Sequence, residues 1–137
     1  MTIRTAEEFI GLRFSGDPRE YRRAATESAD VSVWMDIIRD YPEARVWVAH
    51  NKTVPMEVLA ILAHDTNDEV RFAVAMKRRL SSELLDLLAR DSKDSVRFQV
   101  AKHRNTSAST LLALTDDPWQ AVAELAAERL QAEHSPD

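Results

Sequence analysis

Apolar residues return along this chain at a fixed interval. Leu59, Leu85 and Leu111 stand 26 residues apart, as do Leu62, Leu88 and Leu114; the same interval relates Val48, Val74 and Val100, and then Ala49, Ala75 and Ala101. Two consecutive units read VRFAVAMKRRLSSELLDLLARD from Val70 and VRFQVAKHRNTSASTLLALTDD from Val96. A period of this length marks a repeat architecture, in which one supersecondary unit is copied along the chain. Within each unit the leucines fall at i and i+3 with aliphatic neighbours, as the buried face of a helix requires. Val70 and Val74 fall at i and i+4, and Ala75 beside them is small enough for close helix packing. Each unit therefore reads as two short helices, a helix A carrying the leucines and a helix B carrying the valines.

The boundaries agree with that reading. Pro55, Ser81 and Ser107 share one column just ahead of helix A, where an early proline or a serine cap is expected. Asp68 and Asp94 stand where a carboxylate would cap helix B and oppose its dipole. Toward the C-terminus Asp117, Val122 and Ala127 keep register, but Ala123 replaces the arginine and Glu124 the aromatic, as a solvent-facing last repeat needs. Upstream, Trp34, Ile37 and Ile38 read as a helix A and Tyr21 to Ala25 as a helix B, with the register shifted by a few residues. Thr5 and Glu8 resemble a capping box opening a further helix. The expected organisation is one all-α repeat domain over residues 1–132, regular from about 44 to 130 and degenerate from about 5 to 43, with a frayed tail at 133–137.

Composition narrows the class. A chain of 137 residues is sized for one domain, and 45% hydrophobic with 30% charged residues argues against disorder. Two glycines leave little material for hairpins, so helix is favoured again. The absence of cysteine excludes disulfides and thiolate metal sites and suits a cytoplasmic setting. Glu7 and Glu8 interrupt the apolar residues of the first fifteen positions, so neither a signal peptide nor a membrane span is expected there. The net charge of −5 is unevenly placed: residues 70–104 hold nine basic against four acidic side chains, inside an otherwise acidic chain. Such asymmetry can steer partners.

Asp65, Val70 and Arg71 recur as Asp91, Val96 and Arg97; Asp117, Pro118 and Val122 give a copy without its arginine, and Asp17, Pro18 and Arg23 a fainter one. An Asp six residues before a basic residue, with Val just ahead of the latter, resembles the HEAT-like repeat, and the short unit with its LLxLLA texture is similar to the leucine-rich repeat variant. The resemblance covers residues 17–130 and departs at Asp40, where Arg45 follows after five residues instead of six. It implies an α-α superhelix of stacked helix pairs with the B helices lining a concave binding face. It also implies a structural ladder through Asp65, Arg71, Asp91 and Arg97, each Asp meeting an Arg of its own or the next repeat. Function is not implied, because the family spans scaffolds, regulators, inhibitors and a few enzymes.

No column supplies a nucleophile beside a base, so no catalytic residue is expected. His50, His64, His103 and His134 lack metal-ligand spacing and read as exposed polar residues at helix ends. Gly11 and Gly16 belong to no phosphate loop, and neither a cofactor nor a metal is expected. Lys52, then Lys77, Arg78 and Arg79, then Lys102, His103 and Arg104 occupy corresponding positions. These cations either complement helix C-termini and keep the surface soluble, or form an electropositive ridge for an acidic partner. On the helix-B wheel the arc through Ala73, Met76 and Lys77 is left outside the core, and its counterparts are Trp47, His50 and Asn51 before it and Gln99, Lys102 and His103 after it. Trp47 is either an interface anchor or a filler where the irregular repeat meets the regular ones; Trp34 and Trp119 read as packing residues. The expected function is a non-catalytic protein-binding module, an adaptor, regulator or inhibitor such as a toxin-neutralising immunity protein. The alternative is nucleic-acid binding along the basic ridge, as in the HEAT-like DNA glycosylases, whose chain is longer and whose catalytic residues map onto no motif here; the net charge also opposes it.

Overall fold

The computed structural model describes residues 2–133, the last by its backbone alone. The rest of the expected tail, with His134, lies outside the described residues. The A helices are α1 (Ala6–Arg13), α3 (Val31–Asp40), α5 (Met56–Leu62), α7 (Ser82–Leu88) and α9 (Ala108–Leu114). The B helices that follow each of them are α2 (Pro18–Thr26), α4 (Arg45–His50), α6 (Asp68–Ala75), α8 (Asp94–Lys102) and α10 (Gln120–Glu133). A 3₁₀ turn, Pro42–Ala44, precedes α4. Extended structure among the described residues is one short parallel bridge between β1 (Thr2–Ile3) and β2 (Ser28–Ala29). The chain is all-α, as the periodicity predicts, and no described helix is long and apolar enough to cross a membrane.

The leucines at i and i+3 and the valines of the repeat are all buried, from Val48 and Leu59 to Val100 and Leu111. The contacts divide into two compact units, one ending at Val74 and one beginning at Ala75. In the first, α1 packs on α2 and α3, α2 on α4, and α3 on α4 and α5. Its core centres on Phe9 and Trp34, whose rings meet edge to face at 5.6 Å, with Ile37, Val58 and Leu62. In the second, α10 packs on both α8 and α9 and α7 packs on α8, around Leu85, Leu88, Val100 and Leu111.

The helix starts follow their sequence signals with two corrections. The hydroxyls of Ser81 and Ser107 accept from the N–H groups of Leu84 and Thr110, and Thr5 accepts from Glu8 at 3.0 Å. The Glu8 carboxylate returns to the Arg4 N–H, at 2.8 Å, one residue ahead of its place in a capping box. Asp68 and Asp94 are not caps but the first helical residues; Asn67 caps α6 by accepting from the Glu69 N–H at 2.9 Å. Their charge still lies in the positive first turn. The second correction concerns register. The buried Val33, Trp34, Ile37 and Ile38 stand one residue out of step with Val58, Leu59, Leu62 and Ala63, whereas α2 meets the end of α4 in near-regular spacing, the Lys52 N–H donating to the Ala25 carbonyl at 2.8 Å. Helix α3 therefore comes one residue late, with one residue more than usual between α2 and α3 and one fewer at the 3₁₀ turn between Asp40 and Arg45.

The Asp and Arg columns interlock in a defined way. Arg71 and Arg97 each donate to the backbone carbonyl of the Asp six residues earlier, Asp65 and Asp91, at 2.7 and 2.8 Å. Arg45, with one residue fewer behind it, reaches the Ile38 carbonyl instead. The Asp carboxylates serve an arginine twenty residues earlier: Arg45 with Asp65 at 3.3 Å, and Arg97 with Asp117 at 2.7 and 3.2 Å. Each carboxylate also closes the turn before helix B, accepting from Asn67, Lys93 or Trp119. Burial pushes the Asp117 carboxyl up, but the Arg97 bonds, the Trp119 N–H and the arginine's charge together hold it below its ordinary value of 3.8. The same bonds hold the Arg97 guanidinium more firmly protonated.

Replacing Asp117 by Ala is therefore expected to destabilise the fold by about 2 to 4 kcal/mol, since it strands a largely buried guanidinium. Because the carboxyl is depressed in the folded state, its contribution is complete above the unfolded value and is lost as pH falls through the lower folded one. Urea denaturation of the parent and the variant should show a wide gap at pH 7 that closes in acid; equal midpoints at pH 7 would remove the pair from the account.

Candidate functional site

The candidate partner-binding columns divide when their side chains are located. Helix B ends in one column at Asn51, Lys77, His103 and Arg129, four residue types that share an N–H donor. Asn51 is fully buried; its amide donates to the carbonyls of Ala24 and Glu27 at 2.7 and 3.0 Å, and its oxygen accepts from the Thr53 N–H and hydroxyl. His103 is buried as well. The Asn105 N–H donates to its Nδ1 at 3.0 Å, which places the ring proton on Nε2, 2.6 Å from the Lys77 carbonyl. Arg129 donates to the carbonyls of Ala101 and His103. These side chains reach back about one repeat and occupy carbonyls in the last turn of the preceding helix B, Ala24 and Ala101, or just past its end, Glu27, Lys77 and His103.

Asn51 and His103 are accordingly structural, contrary to their expected place on a binding face, and His103 is not an exposed helix-end histidine. Ala73, expected outside the core, is buried too. Lys77 is half-buried, and burial alone draws its ammonium below the usual lysine range. Gln99 is half-buried, while Met76, Arg78, Arg79, Lys102 and Arg104 are exposed. The basic ridge of the second unit thus consists of side chains at its surface, minus His103 and with Lys77 drawn in.

Trp47 and His50 belong to the first unit and line a cleft of about 270 Å³. Helix α1 supplies Phe9 and Arg13, α2 supplies Tyr21, Ala24 and Ala25, and α4 supplies Trp47 and His50. Tyr21 and Trp47 are 26 residues apart, one column of two successive B helices. Trp47 is half-buried, with the His50 ring 5.7 Å away. The Arg13 guanidinium lies 3.4 Å from the centre of the Trp47 ring, with the Tyr21 and Phe14 rings at 5.5 and 5.6 Å. This is a cation held by aromatic faces. Alanines at 24 and 25 keep the α2 wall low and leave the cleft open between the rings.

Comparison with protein-family models, curated proteins and solved structures finds no match to this chain. The cleft therefore stands on its own geometry. Arg13, Tyr21 and Phe9 were not among the sequence candidates; the 26-residue spacing of Tyr21 and Trp47 was the available signal for one of them, and Arg13, in the degenerate first repeat, has no column to announce it. A second, more open cleft of about 550 Å³ lies between α7 and α9. Two of its polar groups are already engaged: the Thr110 hydroxyl donates to Asp86 at 3.0 Å, and Asp117 is held by Arg97 from outside the cleft. Trp119, expected as a packing residue, is exposed against Phe98, whereas Trp34 is fully buried as expected.

Asn51→Ala removes two carbonyl partners and a turn acceptor at a site without solvent, and is expected to cost about 2 to 3 kcal/mol. Lys102→Ala, next to the His103 column but exposed, should change stability by less than about 0.5 kcal/mol. Parallel chemical denaturation checks the contrast; a tolerant Asn51 would return that column to the surface.

Proposed function

We propose that this protein is a HEAT-like, non-catalytic binding module that takes a protein segment on its helix-B side, with Trp47 as the anchor. The reading rests on one observation: a half-buried tryptophan stands in an open cleft beside the exposed Tyr21 and an arginine, with the buried Phe9 beneath, on short helices fixed by buried polar bonds. Large aromatic side chains and arginine are the residue types that dominate protein interfaces, because they bury much area at little cost in conformational freedom. At about 270 Å³ the cleft is below the range of ordinary small-molecule sites and is sized for one or two partner side chains. Helices position such a surface more rigidly than loops would, so little ordering cost opposes binding. An adaptor, a regulator and an inhibitor would all use such a surface.

The nucleic-acid reading has the exposed Arg78, Arg79, Lys102 and Arg104 in its favour. The net charge of −5 opposes it, since non-specific nucleic-acid affinity is mainly electrostatic.

Affinity capture with the intact chain and with its Trp47→Ala variant, each followed by mass spectrometry, separates the readings. The expected result is a protein recovered by the parent and lost with the variant, with binding weakened by about 2 kcal/mol or more once the pair is titrated. Recovery of nucleic acid with a steep dependence on salt, indifferent to Trp47→Ala, would favour the ridge instead.

A further inference from the structure

The half-buried arginines of this chain follow a rule with one exception. Arg23 binds the Glu27 carboxylate, Arg45 the Ile38 carbonyl and Asp65, and Arg71 the Asp65 carbonyl. Arg97 binds Asp91 and Asp117, and Arg129 the carbonyls of Ala101 and His103. Each has an oxygen acceptor, as a guanidinium withdrawn from water requires. Arg13 is equally half-buried and has three aromatic neighbours but, among the described residues, no oxygen in hydrogen-bonding or ion-pairing reach. The carboxylate nearest in sequence, Asp17, is committed to Arg19, which grips both of its oxygens and donates its backbone N–H as well.

We infer that Arg13 is the specificity element of the Trp47 cleft, receiving an aspartate or glutamate carboxylate of the partner segment while a neighbouring apolar side chain of that segment enters against Tyr21 and Trp47. This rests on the protein-binding reading above and adds to it the chemistry of the partner. The stacking on Trp47 uses the face of the guanidinium and leaves its edge, where all five N–H donors point, for a planar acceptor. A carboxylate matches that edge with two parallel bonds. The aromatic walls keep water from the pair, which strengthens the bond, and they hold the arginine in place so that little side-chain freedom is lost on binding. The chain's net charge of −5 offers no long-range attraction to an acidic segment. Recognition is therefore short-range, and an acidic residue counts only at the position that reaches Arg13.

The test uses the full chain and a displayed library of random nonapeptides. Selection on the parent is expected to enrich peptides with an Asp or Glu next to or one residue from a large apolar residue. For a selected peptide, changing that acid to its amide should weaken binding to the parent about tenfold or more, the loss of one charge-assisted bond. The same change should have little effect on binding to Arg13→Gln, so that the two losses do not add. Arg13→Lys, which keeps the charge but not the planar fork, should retain part of the affinity, and circular dichroism should show both variants folded. Peptides that need Trp47 but bind Arg13→Gln and Arg13→Lys as well as they bind the parent would overturn the carboxylate inference and leave the binding module standing. Selected peptides indifferent to both Trp47→Ala and Arg13→Gln, or no enrichment at all, would overturn the two together.

Discussion

Short helices leave most of their carbonyls without partners. The last four C=O groups of any α-helix lack an internal donor, and α4 has six residues while α8 has nine, so the unsatisfied groups make up about half or more of each helix. Packing brings these ends together where water is excluded, and a buried carbonyl without a donor carries a cost comparable to a lost hydrogen bond. The answer lies at the end of the following B helix, in a side chain long enough to reach back: Asn51 to Ala24 and Glu27, His103 to Lys77, Arg129 to Ala101 and His103. The column tolerates several residue types because the requirement is an N–H donor, not a particular shape.

The opposite ends of the same helices meet the complementary demand. Asp65, which closes the turn before α6, offers its backbone carbonyl to Arg71, six residues on, and its carboxylate to Arg45, twenty residues back, and Arg97 is held in the same two ways by the Asp91 carbonyl and the Asp117 carboxylate. With both ends committed to structure, the surface open to a partner is what remains between them. In the first unit that remainder is the Tyr21 and Trp47 column with Arg13 above it. In the next repeat the equivalent position is the buried Ala73, so the aromatic surface is a property of two helices and not of the repeat.

The helix pairs were legible because burial there depends on apolar spacing alone: Leu59 with Leu62 and Val96 with Val100 read correctly without knowledge of any neighbour. Serine caps were legible for a similar reason, since Ser81 and Ser107 act within their own turn. Asn51 and His103 misled because polarity at a helix end suggests solvent, and their burial depends on carbonyls a full repeat away. Their common donor chemistry was visible in the column, yet nothing local says what accepts. Arg13 was beyond reach for a further reason. Its significance is that no oxygen partner stands among the described residues, which becomes visible only when its neighbours have positions.

The side-chain bridges between repeats have short reach along the chain, from 20 residues for Arg97 and Asp117 to 28 for Arg129 and Ala101. Loop-closure entropy grows only logarithmically with the length closed, so within each unit every such bridge forms against nearly the same modest cost, and none waits for a distant segment. Low mean sequence separation of contacts goes with rapid folding. It also means that lengthening such a chain by a whole repeat would add closures of the same size and stretch none of the existing ones. A further helix pair joined by bridges of the same span would therefore be expected to assemble at much the same speed as those already present, and the shortened spacing before Arg45, which trades the carbonyl of an Asp for that of Ile38 and keeps the bond to Asp65, shows that the bridges absorb a change of one residue.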